Sequence, residues 1–349
     1  MDEMIYDLPA AKRVFSRVGL SLTAILAIGL ALSFVISFLM SVSGNVAFFQ
    51  ESWFMWMASF LPLYGIAIPL GLLVMKKLPA EAPEERKLGA GNGFVFFLIC
   101  VFLMYTGNII GTMLSMILSG GTAVNGVAEL VQDNHPLKVL FVVVLAPVLE
   151  ELVFRKQLLD RTRRYGERAA AMLSAVTFGL LHMNLYQFFY AFALGLVFAY
   201  IYLRTGRLRY TAILHAVINF LGSVVAPWVL EIANADALAS LDPTMPTEEM
   251  LGFYMDVLPG MLAVLGYSLV LIGFFIAGLV LFIIKVRRLV WKAGSEQLPE
   301  KTAFRTIYCN GGMIAFMVFC LVMIVFNLIL GGNYGRQSDF RRKTQRRGR

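Results

Sequence analysis

Residues 141–155 read FVVVLAPVLEELVFR, an apolar run from Phe141 to Leu149 that meets two adjacent carboxylates, Glu150 and Glu151, and then a guanidinium at Arg155. In a water-soluble protein this would be an ordinary core helix with a polar end. The composition of the whole chain argues otherwise. Of its 349 residues, 59% are hydrophobic and only 15% are charged, against a charged share near ~25% in soluble domains. Mean hydropathy is strongly positive. The solvent for most of this chain is lipid, and the carboxylates at 150 and 151 therefore stand where a charge is costly.

The net charge of +8 would suit nucleic acid if it were spread over a surface. Instead, Lys and Arg are absent from 18–75, 88–137, 169–203 and 210–284, and a basic cluster closes each gap. This is the positive-inside pattern of membrane proteins, and no nucleic-acid partner is expected. Each basic-free arc reads as an out-and-back hairpin. The clusters Lys12/Arg13/Arg17, Lys76/Lys77/Arg86/Lys87, 155–168, Arg204/Arg207/Arg209 and 285–305 would then face the cytoplasm, together with the N-terminus. The 155–168 cluster is expected to anchor at this face and to meet anionic lipid heads.

At ~20 residues per crossing, the expected fold is all-α, a polytopic transmembrane bundle of about eight helices. They fall near 18–42, 52–75, 93–119, 137–164, 168–184, 187–204, 208–228 and 260–284, and two of them are short. No cleavable signal fits the start, because the apolar run 18–42 is too long for a signal h-region. No repeat or composition shift divides the chain, so 1–303 reads as one membrane domain. Within it, 231–259 is an exterior acidic loop, broken by Pro243 and Pro246 and carrying Glu231, Asp236, Asp242, Glu248, Glu249 and Asp256. An extra C-terminal membrane segment, 304–335, precedes a basic tail, 336–349. A single crossing there would put the tail outside, against the charge rule; alternatively the segment, weakened by Asn310, Gly311 and Gly312, re-enters.

Two smaller features read as structural. Cys100, Cys309 and Cys320 lie in apolar stretches without CxxC spacing, as small buried hydrophobes do. Gly107 and Gly111 form a GxxxG motif, which marks close helix packing. Prolines at 62, 69 and 147 lie inside apolar segments, where each removes an N–H and kinks its helix. In the α register, Pro147 frees the Val143 carbonyl just ahead of the two carboxylates.

A charge near the bilayer centre costs on the order of 2.5–3.5 kcal/mol on insertion scales, so each such residue asks for a partner or a purpose. Beside Glu150, Glu151 and Arg155 stand Phe178 and His182 near the end of the fifth segment, and His215 and Asn219 on the seventh. Glu150 and His182 are each about sixteen residues from a turn near Tyr165 and Gly166, which at ~1.5 Å per residue puts them at one depth on antiparallel neighbours. Glu151 and Arg155 are four apart and share a face. Glu150 is turned by ~100° from Glu151 and can face the bundle interior. His215 and Asn219 share a face in the same way.

An enclosed carboxylate that shares a water with an imidazole is a competent general base. A second imidazole and an amide are donors for a developing oxyanion. Those are the parts needed to hydrolyse a peptide bond. The same residue types also suit zinc, with Glu150, His182 and His215 as candidate ligands, although the soluble-protease signature HExxH is absent.

Glu150-Glu151-x-x-x-Arg155, then Phe178-x-x-x-His182, then His215-x-x-x-Asn219, on successive helices, resembles the CPBP family, also called the ABI or CAAX-protease family, of intramembrane type II CAAX prenyl endopeptidases. The resemblance covers about 137–230. It implies that Glu150 and His182 activate the attacking water, that His215 and Asn219 stabilise the oxyanion, and that Glu151 and Arg155 support the first motif. The family is named a metalloprotease, and a metal-free, glutamate-dependent hydrolysis has also been argued for it, so both zinc and no metal stay open. The implied substrate is a membrane-associated protein or peptide, and a bacterial plasma membrane is the expected location. Two other classes compete. A non-catalytic scaffold or immunity-type factor of the same fold would keep its biological effect without Glu150. A proton-coupled transporter would show an inverted repeat with broken helices in matching halves, and none is visible in the sequence.

Overall fold

The computed structural model describes residues 7–44, 48, 51–122, 125, 135–233 and 246–347, with side chains up to residue 329 of the last helix. Its elements are helical: α1 (Leu8–Ser43), α2 (Ser52–Met75), α3 (Ala90–Ser119), α4 (residues 139–165), α5 (Glu167–Leu181), α6 (Leu185–Thr205), α7 (Leu208–Ile232), α8 (Thr247–Val286), α9 (Glu300–Tyr308) and α10 (Gly311–Arg347). Each of the eight expected helices has a counterpart. The protein is an integral membrane protein, with α1, α2, α3, α6, α7, α8 and residues Gly311–Ile329 of α10 long and apolar enough to cross a bilayer.

Of the three helices that fail this test, α9 is only nine residues long, whereas α4 and α5 carry the motif carboxylates and His182. Their failure has a physical reason. Large apolar side chains such as Phe34, Phe38, Leu265, Leu269 and Val318 are exposed on α1, α8 and α10, as lipid-facing surfaces require. By contrast, most of the α4 stretch from Glu150 to Thr162, with Glu150, Glu151, Arg155 and Asp160 among it, and most of α5 are buried. Helix α6 packs along both α3 and α5, α7 lies on the first half of α4, and α2 lies against its second half. The helices that touch lipid shield the helices that carry charge.

Two boundaries differ from the sequence expectation. Helix α1 begins at Leu8, ten residues before the apolar run, because Asp7 caps it by accepting the Ala10 N–H at 2.8 Å and Pro9 sits in its first turn. The basic cluster at 12–17 is therefore helical. Helix α8 begins at Thr247 behind Pro246, with Glu248 and Glu249 in its first turn, where their charge complements the helix dipole. Glu248, Glu249 and Asp256 thus belong to a helix rather than to an acidic loop, whereas Asp236 and Asp242 lie outside the described residues. The side chains of the basic tail lie outside them as well.

The 155–168 cluster also differs from a free lipid anchor. Arg161 donates to the Met75 carbonyl at 2.6 Å, Arg163 pairs with Glu81 at 3.2 Å, and Arg164 pairs with Glu296 at 2.9 Å. Buried Glu167 accepts from Arg204 and from the Lys292 backbone N–H. Much of this charge is spent on bracing the turn between α4 and α5.

The expected segment 304–335 is interrupted at Cys309 and Asn310, between α9 and α10, and α10 then runs without a break from Gly311. Asn310 caps its start by accepting the Met313 N–H at 3.0 Å. Gly312 donates to Ser16 Oγ at 3.0 Å, and a Cβ on Gly312 would stand 1.8 Å from the Ser16 carbonyl oxygen. The small residues are a helix contact. Gly107 and Gly111 do the same for α3 and α6, where a Cβ would meet the Tyr190 nitrogen at 2.5 Å and the Leu185 oxygen at 2.3 Å. Gly312→Val should cost at least about 1–3 kcal/mol from overpacking, measured as a lower thermal unfolding midpoint of the purified protein in detergent. An unchanged midpoint would mean that α10 is not seated on α1.

Candidate active site

The site begins with a proline. Before Pro147 the chain winds as a π-helix over Val139–Leu145, and the Ala146 N–H reaches the Phe141 carbonyl, five residues back. In this register the N–H that proline lacks would have served Val142, so the freed carbonyl is that of Val142 rather than Val143. Asn219 Nδ2 donates to it at 2.9 Å. The same winding precedes Pro69, over Leu61–Ala67, and Pro227, over Leu221–Val225. Three helices around the site are therefore widened one turn ahead of a proline, a geometry often found at functional positions.

Glu150 and Glu151 are both buried and point apart, as adjacent helical residues must. Glu151 pairs through Oε2 with Arg155 Nε at 3.0 Å, and through Oε1 it meets His215 Nδ1 at 3.2 Å. Arg155 is fully buried, with its guanidinium 4.6 Å from the Phe178 ring centroid, 5.4 Å from Phe198 and 6.0 Å from Phe154. Aromatic faces favour a desolvated cation, so the ion pair stands in a box of rings. Glu150 accepts the Tyr64 hydroxyl through Oε1 at 2.5 Å, and its Oε2 lies 3.7 Å from His215 Nε2.

His215 thus stands between the two carboxylates, its ring tilted over Phe198 at 5.3 Å and edge-on to Phe178 at 5.7 Å. His182, at the end of α5, bonds through Nδ1 to the Phe178 carbonyl at 2.9 Å. Since a carbonyl can only accept, Nδ1 carries the proton, and Nε2 of the neutral ring is the basic nitrogen. The His182 ring lies 5.1 Å from Phe178, so that one phenyl ring touches both imidazoles.

The structure therefore brings Glu150, Glu151 and His215 into one polar chain, joins Arg155 to it through Glu151, and sets His182 across Phe178. Asn219 lies one turn along α7 from His215, with one amide hydrogen already given to Val142. The sequence reading missed Tyr64. It rides on α2 between Pro62 and Pro69, in a ladder of rings: Trp56 stacks on Phe60 at 5.6 Å, Phe60 on Tyr64 at 5.4 Å, and Phe60 on Phe141 of α4 at 5.1 Å. The available signal was a tyrosine bracketed by two prolines and ending a run of aromatics, Trp56, Phe60 and Tyr64, spaced by four. Among the described residues, no group of three or more His, Cys, Asp and Glu side chains is gathered so as to hold a metal ion.

Residues 132–221, which contain all seven motif residues, match the family described as type II CAAX prenyl endopeptidase Rce1-like. The resemblance carried by the three motifs holds over that segment. The chain is also 25% identical over 157 residues to a protein of Bacillus subtilis (strain 168) named "Putative membrane peptidase YdiL", a match covering 42% of this chain and 63% of that protein. The chain thus spans less than two thirds of that relative's length. No solved structure matches significantly.

Arg155→Ala would leave Glu151 charged and enclosed, and is expected to cost about 3–5 kcal/mol. Tyr64→Phe removes one hydrogen bond at nearly constant shape and should cost under about 3 kcal/mol. Thermal unfolding of both variants in the same detergent checks the order; equal midpoints would contradict the placement of the ion pair.

Proposed function

We propose that this protein is an intramembrane endopeptidase that hydrolyses peptide bonds of membrane-associated proteins or peptides in a bacterial plasma membrane, with its N-terminus on the cytoplasmic side. One observation carries the reading. Glu150, enclosed in an apolar bundle, has one oxygen held by Tyr64 and the other 3.7 Å from His215 Nε2. Prenylated proteins of the CAAX type are the substrate class that the matched family's name suggests, and such substrates would reach the site from the bilayer.

In this mechanism a water lies between Glu150 and His182 Nε2. Glu150 takes a proton from it as the oxygen attacks the scissile carbonyl carbon. The carbonyl oxygen gains negative charge and is met by the second amide hydrogen of Asn219 and by His215, which donates from Nε2 as an imidazolium while its Nδ1–H faces Glu151. Collapse breaks the C–N bond, the proton passes from Glu150 to the leaving amine, and the water oxygen remains in the new carboxyl terminus. Glu151 and Arg155 touch no reacting atom; they hold His215 by its Nδ1 side, and the three-ring box holds them. The proposed steps use side chains alone.

Glu150→Gln keeps size and hydrogen bonding but cannot take a proton, so it should lower cleavage by about 10²–10⁴-fold while the protein accumulates normally in membranes. Comparing protein termini in wild-type and Glu150→Gln membranes reads this, and unaltered termini would contradict the assignment. Chelation should leave cleavage intact; loss of activity in step with loss of one bound zinc per chain would overturn the side-chain mechanism.

A further inference from the structure

We infer that helix α10, which lies outside the matched segment, completes the site by holding the turn that carries His182, with Asn327 as the positioning residue. The inference rests on the endopeptidase reading for its functional consequence but on independent contacts for its structure. Met183, next to His182, is the non-glycine residue with a positive φ among those described, at 52°. That conformation is unfavourable for a side chain with a Cβ, and it persists only where its surroundings enforce it.

The enforcement is visible. The turn leaves α5 with two carbonyls directed out of the helix, and in a lipid environment each needs a donor. The His182 carbonyl accepts from Asn184 Nδ2 at 2.8 Å, and Asn184 in turn caps α6 by accepting the Gln187 N–H. The Met183 carbonyl accepts from Asn327 Nδ2 at 2.7 Å, from a residue 144 positions away. Asn327 is a polar side chain at the exposed edge of an apolar membrane helix, where an unpaired amide would be costly. It continues the stripe Met313, Phe316, Cys320 and Ile324, the buried face of α10, at helical spacing.

That stripe ties the clamp to the rest of the fold. The close contact of Gly312 with Ser16 fixes one end of α10 on α1, and Asn327 delivers the other end to the His182 turn. The ring of His182 is held by its own helix through Phe178; the backbone beneath it is held by α10. Without the Asn327 bond, Met183 is free to relax toward ordinary dihedrals, and the imidazole moves with it, away from Glu150.

The test uses full-length protein in lipid vesicles in four forms: wild type, Glu150→Gln, Asn327→Leu, and Asn327→Leu with Met183→Gly. Leucine suits a lipid-facing position, so the helix should survive. Hydrogen exchange across 181–187 should be faster in Asn327→Leu than in wild type, with 141–155 unchanged. With natural membrane proteins that lose termini in Glu150→Gln cells as substrates, kcat should fall about 10–100-fold with KM little changed. Glycine adopts positive φ readily, so Met183→Gly should restore most of that rate in the Asn327→Leu background. A merely structural role for Asn327 would predict no such rescue. If Asn327→Leu matches wild type in both exchange and kcat, the clamp is overturned and the endopeptidase reading stands. If Glu150→Gln cleaves normally, that reading is overturned, and the exchange comparison alone decides the clamp.

Discussion

An ion pair that never meets water organises this molecule. Glu151 and Arg155 are completely buried, in a protein whose solvent is hydrocarbon, and a charge there must be held on every side by protein. The three rings around the guanidinium, the imidazole of His215 on the other carboxylate oxygen, and the enclosure of α4 and α5 by more apolar helices all answer that demand. Glu150 gains its character by contrast. It shares the depth and the shelter but not the guanidinium, and so it is the carboxylate left available for chemistry.

The close helix contacts serve the same end. Shielding two polar helices with a small number of apolar ones requires backbones to approach closely, and the glycines at 107, 111 and 312 lie where a side chain would collide with a neighbouring main chain. The prolines at 69, 147 and 227 add local width, because each is preceded by a π-helical turn. Those turns carry Tyr64 toward Glu150 and expose the Val142 carbonyl to Asn219. A regular α register on α2 and α4 would rotate these groups away from one another.

Much of this was legible in the sequence because its causes are local. Basic-free arcs between basic clusters mark out the crossings, and i,i+4 spacing puts Glu151 with Arg155 and His215 with Asn219. Counting residues from a shared turn sets Glu150 and His182 at one depth. What could not be read depends on distant partners or on register. Tyr64 looks like one more aromatic until α2 is docked. The freed carbonyl shifts by one residue, from Val143 to Val142, because π winding is not encoded in apolar periodicity. The start of α8 was hidden because Glu248 and Glu249 signal a helix N-terminus and a solvated loop equally well. The role of α10 was obscured because Gly312 read as a helix breaker, whereas it is a point at which α10 touches α1.

The central claim is that a water molecule, activated by Glu150 in this enclosed pocket, supplies the oxygen of the new carboxyl terminus. A single turnover in water labelled with oxygen-18 tests it directly, by mass spectrometry of both the product and the protein. The account predicts one labelled oxygen in the product terminus and none in the side chain of Glu150. Label recovered in the Glu150 carboxylate would mean that this group attacks the substrate itself and would contradict the mechanism.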